Sequence, residues 1–153
     1  KLFWPENELV EEVFQDLHEN LEDAILLEII LIKNNYLNEL NLNLIDLSFK
    51  PQLNLYLFEN LEEFYALKCR LEKLPKLPKS IKFVGMGYNP DIQFPDDLSN
   101  LENLKEFYAQ GCNLNRLPKL PKSIKFVDAR NNLIPIKEQE RIRKQYPNAK
   151  IEF

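Results

Sequence analysis

From Leu61 to Ile134 the apolar residues follow one frame. Counted from the start of each copy, apolar side chains stand at positions 1, 4, 6 and 11, and Asn or Cys stands at position 9. Copies start at Leu61, Ile81, Leu104 and Ile124. The first reads Leu61, Phe64, Ala66, Cys69, Leu71, and the third reads Leu104, Phe107, Ala109, Cys112, Leu114. The second reads Ile81, Val84, Met86, Asn89 and, after a one-residue extension past Pro90, Ile92; the fourth reads Ile124, Val127, Ala129, Asn132, Ile134. Copies pair into a larger unit, since the eleven residues Leu74–Val84 return unchanged as Leu117–Val127, 43 residues further on. Upstream, Leu27, Ile30, Ile32, Asn35 and Leu37 fit the frame. Leu42, Ile45 and Leu47 fit it with Lys50 in the Asn place, only 15 residues after the preceding start. The register between Leu37 and Leu61 stays open.

Such a frame predicts short strands with positions 4 and 6 pointing inward. The position-9 side chains (Asn35, Cys69, Asn89, Cys112, Asn132) turn into the core as a structural ladder that satisfies backbone groups where each strand bends away. No single copy can bury its apolar side alone, so the copies must stack into a solenoid with a parallel sheet on one face. The expected architecture is α/β, with about five to six repeats over residues 27–134 and a helical cap at each end. Pro5, the acidic first turn at Glu6 and Glu8, and the apolar stripe Leu9, Val10, Val13, Phe14, Leu17 place a capping helix within residues 1–26. In residues 135–153, Pro135 opens a helix with acids early (Glu138, Glu140) and bases late (Arg141, Arg143, Lys144), and Pro147 stops it. Alternating Ala149, Ile151 and Phe153 then predict a last short strand.

The stretch from about Leu27 to Ile134 resembles a leucine-rich repeat protein. Leu74-Pro-Lys-Leu-Pro-Lys-Ser-Ile-Lys-Phe and its copy from Leu117 are similar to the LPxLPxSLxxL repeats of bacterial effectors. Phe94-Pro-Asp-Asp-Leu-Ser-Asn-Leu-Glu-Asn-Leu is similar to the longer, widespread repeat type, which implies a short helical turn on the convex side. The resemblance also implies a sheet on the concave face that binds a protein partner.

Composition narrows the chemistry. The 153 residues carry 20 basic and 24 acidic side chains, a net −4, which disfavours nucleic acid as a partner. No window approaches the length of a membrane span. With one His, two Cys and no Gly-rich phosphate loop, no cofactor, metal or small-molecule substrate is expected. His18, beside Asp16, Glu19 and Glu22, reads as a surface residue, because Ser48, Ser80, Ser99 and Ser123 fall in distant segments and a triad needs its members in one cleft. Cys69 and Cys112 sit two repeats apart, about 10 Å in a stacked ladder, too far for a disulfide. They read as reduced core thiols, which favours a cytoplasmic setting; a secreted effector or a trimmed exported protein is the alternative. Lys73, Lys76, Lys79, Lys82 and Arg116, Lys119, Lys122, Lys125 recur every third residue. In polyproline II geometry each set lines one edge while Leu74, Leu77, Leu117 and Leu120 face in. A solvated edge is the expected role, and an anionic partner the other use.

Positions 3, 5, 7 and 8 face the open side. They gather Glu63, Tyr65, Phe83, Tyr88, Glu106, Tyr108, Phe126, Asp128 and Arg130, with Gly85, Gly87 and Gly111 on the same face. Leu44 and Asp46 join them if Leu42 opens a copy. Aromatics in register on a rigid sheet suit a protein-binding face. The expected function is therefore a non-catalytic recognition module, monomeric or weakly homodimeric. The substrate-recognition fragment of a ubiquitin-ligase-like effector, or an immunity protein masking a toxin, are the alternatives.

Overall fold

A computed structural model describes residues 38–44, 46–48, 55–56 and 58–153. The expected cap in residues 1–26, the copy from Leu27 and Asn35 lie outside them. Six three-residue strands make one sheet: β1 (Glu39–Asn41), β2 (Glu63–Tyr65), β3 (Phe83–Gly85), β4 (Glu106–Tyr108), β5 (Phe126–Asp128) and β6 (Lys150–Glu152). They are ordered as in the chain, and every neighbouring pair is parallel. One helix, α1 (Ile136–Gln145), separates β5 from β6. The architecture is thus a parallel β-solenoid of about five turns, and β2 to β5 lie where positions 3 to 5 of the sequence frame put them.

Alternation along each strand builds the core. The middle residues Leu40, Phe64, Val84, Phe107 and Val127 are fully buried, and so are Leu42, Ala66, Met86, Ala109 and Ala129 two residues on. Position 1 adds Leu61, Ile81, Leu104 and Ile124 as a third buried layer. From the opposite side Leu98, Leu101, Leu117 and Leu120 close over them, and Phe94 meets Phe107 edge to face with ring centroids 5.4 Å apart.

The first described turn corrects one register. Leu40 pairs with Phe64 and Asn41 with Tyr65, so Leu42 takes position 6 and buried Leu47 takes position 11. A copy opening at Leu42 is excluded, and Leu44 and Asp46 are not strand positions on the open face. Leu44 lies in a turn at φ 66°, while Asp46 pairs with Arg70. The frame now starts at residue 37, so this turn is longer than the 20-residue turn that starts at Leu61. A run of leucines spaced by two and three residues satisfies either frame, and only pairing with β2 tells them apart.

Three residues past each of β1 to β5 the chain takes a left-handed residue at position 8: Leu44, Lys68, Tyr88, Gly111 and Asn131, all at φ 54–66°. That conformation swings the chain off the sheet and aims the position-9 side chain inward. Asn89, fully buried, then bridges two turns: its Oδ1 accepts from the Cys69 and Leu71 amides, and its Nδ2 donates to the Ala66 and Met86 carbonyls. Asn132 repeats this, accepting from Cys112 and Leu114 and donating to Ala109 and Ala129. Cys69 and Cys112 are buried thiols, not a disulfide. Their Sγ atoms donate to the carbonyls of Leu42 and Met86, one turn back. Burial raises the Cys112 thiol above its ordinary pKa.

On the side away from the sheet the connections are extended or turned. The segment after Phe94 forms two successive i→i+3 turns, Leu101 to Leu98 and Leu104 to Leu101, in place of the helical turn that its resemblance implies. Ser80 and Ser123 use their hydroxyls to bond the Leu61 and Leu104 carbonyls, which ties position 1 of one turn to the next. In α1 only Ile142 is buried; Glu138 in its first turn and Arg143 and Lys144 in its last complement the helix dipole. Tyr146 then bonds both backbone groups of Leu120 through its hydroxyl. No helix among the described residues is long and apolar enough to cross a membrane.

Candidate recognition surface

The open face of the sheet carries two rows of side chains. Position 3 aligns Glu39, Glu63, Phe83, Glu106, Phe126 and Lys150, and position 5 aligns Asn41, Tyr65, Gly85, Tyr108, Asp128 and Glu152. Because the 43-residue unit alternates Glu-x-Tyr with Phe-x-Gly or Phe-x-Asp, each tyrosine stands diagonally across from the next strand's phenylalanine. The diagonals close into one ladder. Ring centroids lie 4.5 Å apart for Tyr65–Phe83, 4.9 Å for Phe83–Tyr108 and 5.1 Å for Tyr108–Phe126, all tilted. Gly85 makes room for it, since a Cβ there would come within 3.0 Å of Phe83 Cε1 and 3.4 Å of Tyr65 Cδ1. The four rings are half-buried.

Carboxylates hold the tyrosine ends. Tyr65 donates its hydroxyl proton to Glu63 Oε2 at 2.6 Å, and Tyr108 donates to Glu106 Oε2 at 3.0 Å. Burial, with the hydrogen bond and charge of Glu106 behind it, pushes the Tyr108 hydroxyl up to about 12. Burial and Glu63 raise Tyr65 in the same way. Both phenols therefore stay protonated past the ordinary value of 10.0. Their contribution to stability is complete below that pH and fades as pH rises through the raised values. Following phenolate absorbance against pH should show Tyr65 and Tyr108 ionising above 10.0, and Glu106→Gln should move Tyr108 back towards 10.0. An absorbance titration that Glu106→Gln leaves unchanged would mean that the Glu106–Tyr108 pair does not form.

The far end of the strip is a closed charge cluster. Arg130 grips Asp128 with two bonds, Nε to Oδ1 at 2.9 Å and Nη2 to Oδ2 at 2.6 Å, and lies 3.5 Å from Glu152. Lys150 Nζ pairs with Glu152 at 2.6 Å and sits 5.4 Å from the Phe126 ring centre. Asp128 is buried, and the Arg130 bonds hold its carboxyl below the ordinary 3.8. The stabilisation from that pair is present above this pH and lost as pH falls through the lowered value.

Eight of the nine residues expected on this face thus share one strip: Glu63, Tyr65, Phe83, Glu106, Tyr108, Phe126 and, at its end, the Asp128–Arg130 pair. Tyr88 stands apart. It occupies the turn row, its ring over Gly111 and 5.5 Å from Lys68 Nζ. Glu39, Lys150 and Glu152 belong to the strip although the repeat frame does not reach them. The alternation of Ala149, Ile151 and Phe153 already implies that Lys150 and Glu152 face out, whereas Glu39 needed the β1 register.

No protein-family model and no curated protein sequence matches the chain.

Proposed function

We propose that the chain is a leucine-rich repeat recognition module, without catalytic activity of its own, whose concave strip binds a protein partner. The observation that carries this reading is the continuous ladder Tyr65–Phe83–Tyr108–Phe126 on a rigid parallel sheet. Its rings are prepaid in entropy: neighbours and glutamate bonds already hold them, so little freedom is lost on binding. They also stay partly open to solvent, as aromatic anchors of interfaces do. The backbone ladder of Asn89 and Asn132, with thiols in the same slot, agrees with the leucine-rich repeat resemblance of the sequence.

A Tyr65→Ala/Tyr108→Ala double variant tests the reading. Tyr108→Ala alone should weaken binding by more than ~1 kcal/mol, while costing about 1–2 kcal/mol of stability through its two ring contacts. The assay is affinity capture from lysate of the native host with wild-type and double-variant baits, each checked for its fold by circular dichroism. A protein retained by wild type and lost by the folded variant supports the strip as the binding face. Equal capture by both baits overturns it.

A further inference from the structure

The charge of the strip is uneven along its length, and this points to the chemistry of the partner, given the reading above that the strip is a binding face. Around β5 and β6, Arg130 and Lys150 are answered by Asp128 and Glu152. Towards β1 no described residue answers the acids. Among the described residues Glu39, Glu63 and Glu106 form no ion pair, and Tyr65 feels the charge of all three. Glu63 and Glu106 each give one oxygen, Oε2, to a tyrosine and leave Oε1 for another donor.

The rings set where a cation can sit. Phe83 has a tyrosine ring against it on either side, so it shows solvent mainly its edge. Ring edges are the positive end of the aromatic quadrupole and do not attract cations. An ammonium or guanidinium is therefore drawn to the carboxylates, while its methylene stem lies along the apolar ladder. Exposed Lys105 and Lys125 precede β4 and β5 on the adjoining row and repel a cationic segment from that flank. Such a segment is kept over the rings.

Spacing then selects a backbone. Glu63 and Glu106 occupy matching positions two strands apart, about 9.6 Å. One turn of polyproline II advances about 9.3 Å in three residues and returns the side chain to the same face. An extended β-strand laid the same way puts residues i and i+3 on opposite faces. We infer that the strip seats a proline-rich protein segment in polyproline II form, with Lys or Arg at i and i+3 reaching Glu63 and Glu106 across Phe83.

Fluorescence anisotropy with labelled synthetic peptides tests this on the full chain. The probes are Arg-Pro-Pro-Arg-Pro-Pro-Arg, the same composition with its arginines adjacent, and an acidic version of the first. Wild type should bind the first at least about fivefold more tightly than the second, and Glu63→Gln/Glu106→Gln should weaken it at least about tenfold. Glutamine keeps an acceptor for each tyrosine hydroxyl, and circular dichroism checks that the variant folds. Equal binding of the two arginine peptides, tighter binding of the acidic one, or no binding of any overturns the inference. The two readings fail separately. A captured partner lost with the Tyr65/Tyr108 pair but indifferent to Glu63 and Glu106 leaves the binding face standing and removes the cationic segment.

Discussion

Asn89→Ala is expected to destabilise the protein by about 3–5 kcal/mol, the largest effect of any polar substitution among the described residues. Asn89 is fully buried and serves four backbone groups on two turns: the Cys69 and Leu71 amides and the Ala66 and Met86 carbonyls. Each buried group left unpaired costs roughly 1–3 kcal/mol, and water entering the vacated space offsets part of the sum. The same substitution at Asn132 should cost less, because that residue is half-exposed and water reaches its partners. Urea unfolding of the two variants reads the difference. A loss below about 1 kcal/mol at Asn89 would mean that the turns are held by apolar packing alone.

Phe107→Ala should cost about 3–5 kcal/mol, against about 1–2 kcal/mol for Tyr108→Ala beside it. The two residues are neighbours on β4 and differ in the face they take. Phe107 is wholly buried and packs edge to face on Phe94, so truncation leaves a cavity at the centre of the array. Tyr108 loses two ring contacts and a hydrogen bond to Glu106 at a half-open surface, where solvent fills the gap. Urea midpoints with unchanged slopes would give the ratio directly. Similar losses at both positions would contradict the inward and outward assignment on which the binding face depends.

The basic edges behave differently from the strip. Lys82, Arg116 and Lys119 reach back one turn to Glu62, Asp96 and Asp97. These pairs are exposed on both sides and contribute little to stability. They do neutralise three of the eight cations that recur every third residue, which fits a solvated edge more closely than a site for a polyanion.

How much could be read from the residues follows from the physics of a repeat. Between Leu61 and Ile134 the frame recurs, and errors in one copy are corrected by the others. The inward positions 1, 4, 6 and 11, the position-9 ladder, the unbridged cysteines and the open-face positions 3 and 5 were therefore legible from residue order alone. The register before Leu61 was not, because Leu37, Leu40, Leu42, Ile45 and Leu47 satisfy more than one frame. Hydrogen bonding to β2 settles it. Apolar spacing in a single copy says which residues are buried but not which strand partner they meet.

The strip shows the same division. Residue order alone assigns Tyr65, Phe83, Tyr108 and Phe126 to one face, since alternation along a strand is a property of the chain. That they touch is a tertiary fact: it needs the parallel register, which sets each tyrosine diagonal to the next phenylalanine, and the missing side chain at Gly85. Glu106 and Asp128 divide the same way. Each meets the side chain two residues on, Tyr108 for Glu106 and Arg130 for Asp128, a pairing that residue order already sets. That Asp128 is buried and that Glu152 of β6 comes within 3.5 Å of Arg130 is decided only once the turns have stacked, because the covering side chains come from another part of the chain.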